Sequence, residues 1–131
     1  MPESGSDVLD LGLSCDVAAP SLARRAFSKL EGLGWKLGDA MLIATELVTN
    51  ALRHSACSET DSIQVQVHQT PERLVISVCD PGKSGQEARL RRPSDLAHGG
   101  VGLWVVEQLS QRWGTERREG YRVWAELPLA A

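Results

Sequence analysis

From Ala40 to Ser55 the chain runs without a glycine or a proline, and that uninterrupted stretch constrains everything around it. Asp39, following Gly38, supplies an N-cap. Ala44, Leu47, Val48, Ala51, Leu52 and Ser55 recur on one face at helical period. Glu46, Asn50 and Arg53 fall on the opposite face, because residues three and four apart are neighbours on a helix. A carboxylate thus lies one turn from a neutral amide oxygen. Oxygen ligands of that kind suit Mg²⁺, which keeps several waters and shares phosphate oxygens with a substrate. The carboxylate could equally accept a proton from a nucleophile. The plainer alternative is the solvated side of an amphipathic helix.

A length of 131 residues fits one domain, and 42% hydrophobic content is enough to fill one core. The net charge of −3 gives no global basic field, so nucleic acid is not an expected partner. No apolar run approaches the ~20 residues that a membrane span needs. Residues 1–7 lack the basic and apolar regions of a signal peptide and are expected to be disordered. Cys15, Cys57 and Cys79 are odd in number and contain no CxxC pair. They read as buried, reduced thiols of a cytoplasmic protein rather than as a disulfide or a zinc site. His54, His68 and His98 show no metal-ligand spacing.

Val8 to Ser14 alternates, with Leu9, Leu11 and Leu13 on one side of a strand. Pro20 suits the first turn of a helix that carries Leu22, Ala23, Ala26, Phe27, Leu30 and Leu33 and stops at Gly34. Arg24, Arg25 and Lys29 lie off that stripe. Trp35 to Gly38 is a connector to the central helix. Ile63, Val65 and Val67 alternate with Gln64 and Gln66. After a turn at Thr70–Arg73, Leu74 to Cys79 is almost continuously apolar and reads as a central strand paired in a hairpin with its predecessor. Pro81 to Gly99 breaks the pattern and reads as a lid or a disordered loop. Leu103, Val106, Leu109 and Trp113 predict a helix closed by Gly114. Thr115–Arg118 and Tyr121–Leu127 predict two strands around a Glu119-Gly120 turn. The expected class is α+β: one antiparallel or mixed sheet of four to five strands with about three helices on one face.

Two further motifs accompany the central helix. Asp80-Pro81-Gly82 ends the central strand. A carboxylate is acceptor-only and can take the amino hydrogens of adenine, whereas guanine offers a carbonyl at that edge. Gly82 removes a side chain where a base would approach; otherwise the tripeptide is a plain turn. Gly99-Gly100-Val101-Gly102-Leu103 precedes a helix, where backbone N–H groups and the helix N-terminus favour a phosphate. It is neither the dinucleotide fingerprint nor a P-loop.

Together and in order, Glu46-x-x-x-Asn50-Ala51, Asp80-x-Gly82 and Gly100-x-Gly102-Leu103 resemble the ATP-binding domain of the GHKL superfamily. Glu46-Leu47-Val48-Thr49-Asn50-Ala51-Leu52-Arg53-His54 and Val123-Trp124-Ala125-Glu126-Leu127-Pro128 are similar to its small branch of anti-sigma factors and protein-serine kinases. The resemblance covers roughly residues 8–128. It implies that Glu46 is a general base, that Asn50 holds Mg²⁺, and that Asp80 reads adenine beside Gly82. It further implies that Gly100, Val101, Gly102 and Leu103 bind ATP and that residues 83–99 form the ATP lid. Two positions depart from the pattern: Ser84 stands where members often have a second glycine, and Arg122 where many have a threonine close to the adenine aspartate. These departures leave the strength of nucleotide binding, and the effect of Arg122 on it, open.

The resemblance implies a cytoplasmic ATP-dependent protein-serine kinase with a sigma factor and an antagonist protein as partners, often homodimeric through the sheet. The Leu9-Leu11-Leu13 strand could supply such an edge. A nucleotide-dependent sigma-factor or antagonist clamp without kinase activity shares every motif. A stand-alone histidine-kinase-like ATPase is the third option, disfavoured because 131 residues leave no phospho-acceptor helical domain.

Overall fold

A computed structural model of the protein describes residues 5–54, 57–82, 102–117 and 119–129. Strand β1 (Ser6–Ser14) is followed by helices α1 (Ala19–Phe27) and α2 (Leu37–His54), with a 3₁₀ turn at Gly34–Lys36 leading into α2. The hairpin strands β2 (Ser62–Gln69) and β3 (Arg73–Asp80) come next. Helix α3 (Gly102–Leu109) and strands β4 (Arg112–Arg117) and β5 (Tyr121–Pro128) close the chain. The five strands form one antiparallel sheet in the order β1-β2-β3-β5-β4. This is the expected α+β fold, and among the described residues every strand pairing is antiparallel.

Alternation along the strands sorts the sheet into two faces. Leu74, Ile76 and Val78 of β3 are buried on the helix side, as are Ile63, Val65 and Val67 of β2 and Val123, Ala125 and Leu127 of β5. Helix α2 meets them with Ile43, Ala44, Leu47, Val48 and Ala51, and α1 adds Ala19, Ala23 and Phe27. Burying one large side chain of this kind contributes about 1.5–3 kcal/mol. β3 is the middle strand and is flanked on both edges, so even its outward Ser77 is buried.

The boundaries differ from the periodicity in informative ways. β1 starts at Ser6, not Val8, because Ser6 and Asp7 pair with Gln69 and His68; residues 6 and 7 are thus part of the sheet. α1 ends at Phe27, well before Gly34. The amides of Lys29 and Leu30 donate to the carbonyls three residues back, and Gly32 takes a φ of +80°, which unwinds the chain. Leu30 and Leu33 still pack on the core without helical backbone. α2 starts at Leu37, so Asp39 lies in its first turn rather than at its cap, where it still complements the helix dipole. α3 stops at Leu109, and Trp113 and Gly114 belong to β4. Gly114 is a packing glycine: a Cβ there would lie 2.7 Å from the Trp124 ring. The lid segment 83–99 lies outside the described residues.

The cysteines overturn the reduced-thiol expectation. Cys15 and Cys57 form a disulfide across a sequence separation of 42, while Cys79 is free. The β1–β2 ladder sets Ser14 opposite Ser62, and the Cys15 amide donates to the Asp61 carbonyl, so the two distant thiols meet at one corner. Closing a loop of this size should stabilise the fold by on the order of 2–4 kcal/mol. Chemical denaturation with and without a dithiol reductant should show that difference, and Cys57→Ser should reproduce the reduced value under both conditions. Thiol titration of the unfolded protein should rise from one group to three on reduction.

Candidate functional site

The end of β3 carries a buried carboxylate. Asp80 closes the inward row formed by Leu74, Ile76 and Val78, and it is only 8% exposed. Its Oδ1 accepts the Gly82 amide hydrogen at 2.6 Å, which fixes the side chain by a local turn. Gly82 takes a φ of +71°, and a Cβ there would meet the Gly120 carbonyl carbon at 3.1 Å. Gly120 in turn has a φ of +132° and passes so near Asp80 that a Cβ would lie 2.4 Å from the Asp80 carbonyl oxygen. The Asp80-Pro81-Gly82 and Glu119-Gly120 turns therefore nest, and only glycine suits either contact.

Tyr121 lies directly across the ladder from Asp80, and Arg117 directly across from Tyr121. The Arg117 guanidinium sits 5.0 Å above the Tyr121 ring, and its Nη1 donates to the Gly82 carbonyl at 3.2 Å. Burial pushes the Asp80 carboxyl above the usual carboxylate range, while the Gly82 amide and the Arg117 charge pull it back. The site thus holds an acceptor-only group in a largely buried position.

α2 brings the second set of groups. Glu46 and Asn50 are half-buried, whereas Arg53 is exposed; the former two do not lie on a simply solvated face. α2 packs against both β3 and α3. Its C-terminal half runs toward the Asp80 end of the sheet, because it leads into β2, whose Gln64 pairs with Cys79. α3 opens at Gly102 and is anchored at once by Leu103 and Val106, both buried. Asp80 and the start of α3 thus come from two elements that both pack against α2, the helix that carries Glu46 and Asn50. Gly100 and Val101 lie outside the described residues.

The sheet also places Arg122. It pairs across from Cys79, and the two share the sheet face turned away from the helices, opposite that of Asp80 and Tyr121. Its Nη1 binds Glu116 at 2.9 Å on that outer face. Arg122 and the Asp80 carboxylate thus lie on opposite faces of the sheet. The inward neighbour is Tyr121. Neither Tyr121 nor Arg117 stood out in the sequence, although parity with inward Val123 and Trp113 marks both.

A helix-covered antiparallel sheet with a buried carboxylate and a glycine-led helix at one corner defines a nucleotide-binding module of the ATPase and kinase type. Residues 15–126 match the model of the histidine kinase-like ATPase domain, and the chain belongs to that family. Comparison with curated proteins gives no match.

The raised Asp80 value makes a prediction about stability. A carboxyl whose folded value is raised contributes stability that is present at low pH and is lost as pH rises through that folded value. Asp80→Asn keeps an oxygen for the Gly82 amide and removes the charge. The variant should match the wild type in acid and become the more stable of the two toward neutral pH. Denaturant midpoints measured across pH check this; a variant less stable at neutral pH would contradict it.

Proposed function

We propose that the chain is an ATP-dependent protein-serine kinase of the anti-sigma type, which regulates a sigma factor by partner switching and phosphorylates an antagonist protein in the cytoplasm. The observation that carries the nucleotide reading is Asp80: a buried acceptor pinned by the Gly82 amide suits an exocyclic amino group. Guanine would bring a carbonyl against it. Gly82 lets the turn pack closely on Gly120, which holds the carboxylate in place.

Glu46 is assigned as the general base that accepts the serine hydroxyl proton, and Asn50 as the protein ligand of Mg²⁺. Gly100, Val101, Gly102 and Leu103 are assigned to the phosphates at the start of α3. Among the described residues no group of three or more His, Cys, Asp or Glu side chains is gathered for a metal. A single neutral oxygen from Asn50 fits a Mg²⁺ that takes most of its oxygens from water and phosphate. When bound, the ion would neutralise phosphate charge; the protein's task is to position the nucleotide and the serine.

The partner surface is assigned to the groove between α1 and α2, lined by Arg24, Gly38, Met41, Leu42 and Thr45. Leu22 and Leu42 are exposed beside it, and Arg24 and Arg25 lie in the last turn of α1. Apolar surface with a basic rim suits an acidic protein partner. A homodimer through the sheet would use the β1 edge.

Three outcomes are expected. Calorimetry should show ATP with Mg²⁺ binding and GTP failing to bind, with Asp80→Asn weakening ATP by roughly 10- to 100-fold, as for loss of a charged hydrogen bond; equal affinity for the two nucleotides would sink the assignment. Asn50→Ala should remove the Mg²⁺ dependence of nucleotide binding while circular dichroism stays unchanged. Glu46→Gln should slow transfer to an antagonist serine by about 10²–10⁴ with ATP binding and sigma-factor pull-down intact. A wild type that binds partners and transfers to no antagonist domain would be a nucleotide-dependent clamp instead.

A further inference from the structure

We infer that Arg117 is a positioning residue for base recognition: it braces the Asp80-Pro81-Gly82 turn from across the sheet and so sets how strongly, and how selectively, a 6-amino purine is held. The inference rests on the proposed reading of Asp80 as the group that meets the base.

The geometry places Arg117 outside the ladder that it supports. It ends the edge strand β4, two strands away from β3, with β5 between them. Its side chain crosses the Tyr121 ring and reaches the Gly82 carbonyl. Gly82 is the residue whose amide orients Asp80 Oδ1. One glycine is therefore held twice: its N–H by the carboxylate and its C=O by the guanidinium. Releasing the second contact loosens the first, because the positive φ of Gly82 leaves the turn little intrinsic preference.

The neighbouring charges leave Arg117 available for this. Arg122 and Arg112 point to the other face, where they pair with Glu116 and Glu126. Arg117 is exposed on the helix side of its strand and packs on the Tyr121 ring. A surface arginine this far from the core adds little to stability, and its charge acts on Asp80 in the direction that favours the ionised acceptor.

The test is a cycle between protein and ligand. Wild type, Arg117→Ala and Arg117→Lys are titrated with Mg²⁺-ATP and with the triphosphate of purine riboside, which lacks the 6-amino group. Arg117→Ala should weaken ATP roughly tenfold, the order expected for one well-made hydrogen bond to a charged group, and leave the deamino analogue within about twofold. Arg117→Lys keeps a charge and a donor and should recover most of the ATP affinity. Equal loss for both nucleotides would mean a general structural role, and no loss for either would mean no role; each overturns the inference while ATP recognition by Asp80 stands. A wild type that binds the two triphosphates equally would overturn the Asp80 reading itself, and the role of Arg117 with it.

Discussion

Helix α2 lays Ile43, Ala44, Leu47 and Val48 on the helix-facing side of β3, and both partners of that contact are fully or almost fully buried. Much else is positioned by this packing. The apolar stripe fixes the rotation of α2, and that rotation leaves Glu46 and Asn50 half-buried toward its flank rather than out in water. The central place of β3 fixes the height and direction of Asp80, since a slip of one residue would turn the carboxylate to the other face of the sheet. One hydrophobic interface thus sets the relative placement of two groups that are 34 residues apart in the chain, from Glu46 to Asp80.

That placement has a physical cost that the surroundings only partly offset. Burial disfavours an ionised Asp80, and the Gly82 amide and Arg117 guanidinium oppose it without cancelling it. A fold selected for stability alone would place a neutral or apolar side chain there. By contrast, the outer face of the sheet settles its charges in pairs: Arg112 grips Glu126 through Nε and Nη2 and holds it below the usual carboxylate range, and Arg122 meets Glu116. The two faces of one sheet therefore follow different rules. Outside, opposite charges satisfy each other; at the Asp80 corner, a carboxylate is held where burial disfavours its charge.

How much of this was legible depended on whether the signal was local. Strand alternation at Leu9-Leu11-Leu13 and Ile63-Val65-Val67 marked inward faces without reference to the fold, and the unbroken Leu74–Val78 run marked the central strand. The three motifs drew notice because each is short and its chemistry sits in adjacent residues. Helix ends were harder. Leu30, Leu33 and Trp113 keep apolar spacing and reach the core, yet their backbone is not helical, since hydrophobic periodicity reports burial rather than hydrogen bonding. The Cys15–Cys57 bridge was invisible for another reason: only the β1–β2 register brings those residues together.

Arg117, Tyr121 and Gly120 belong to the same non-local class, and they show where sequence motifs stop. Asp80-Pro81-Gly82 looks self-contained on paper, yet its shape is completed by a second turn nearly 40 residues later in the chain. The close approach of Gly120 to the Asp80 carbonyl forces the β5 turn to be as tightly specified as the motif itself. A substitution in the Glu119-Gly120 turn would therefore disturb the carboxylate as directly as one in the motif, because two turns in van der Waals contact cannot move independently. The Asp80 corner is then better regarded as a property of the β3–β5–β4 ladder than of a tripeptide. It is the antiparallel order of those strands, with β5 inserted between β3 and β4, that brings Asp80, Tyr121 and Arg117 into one row.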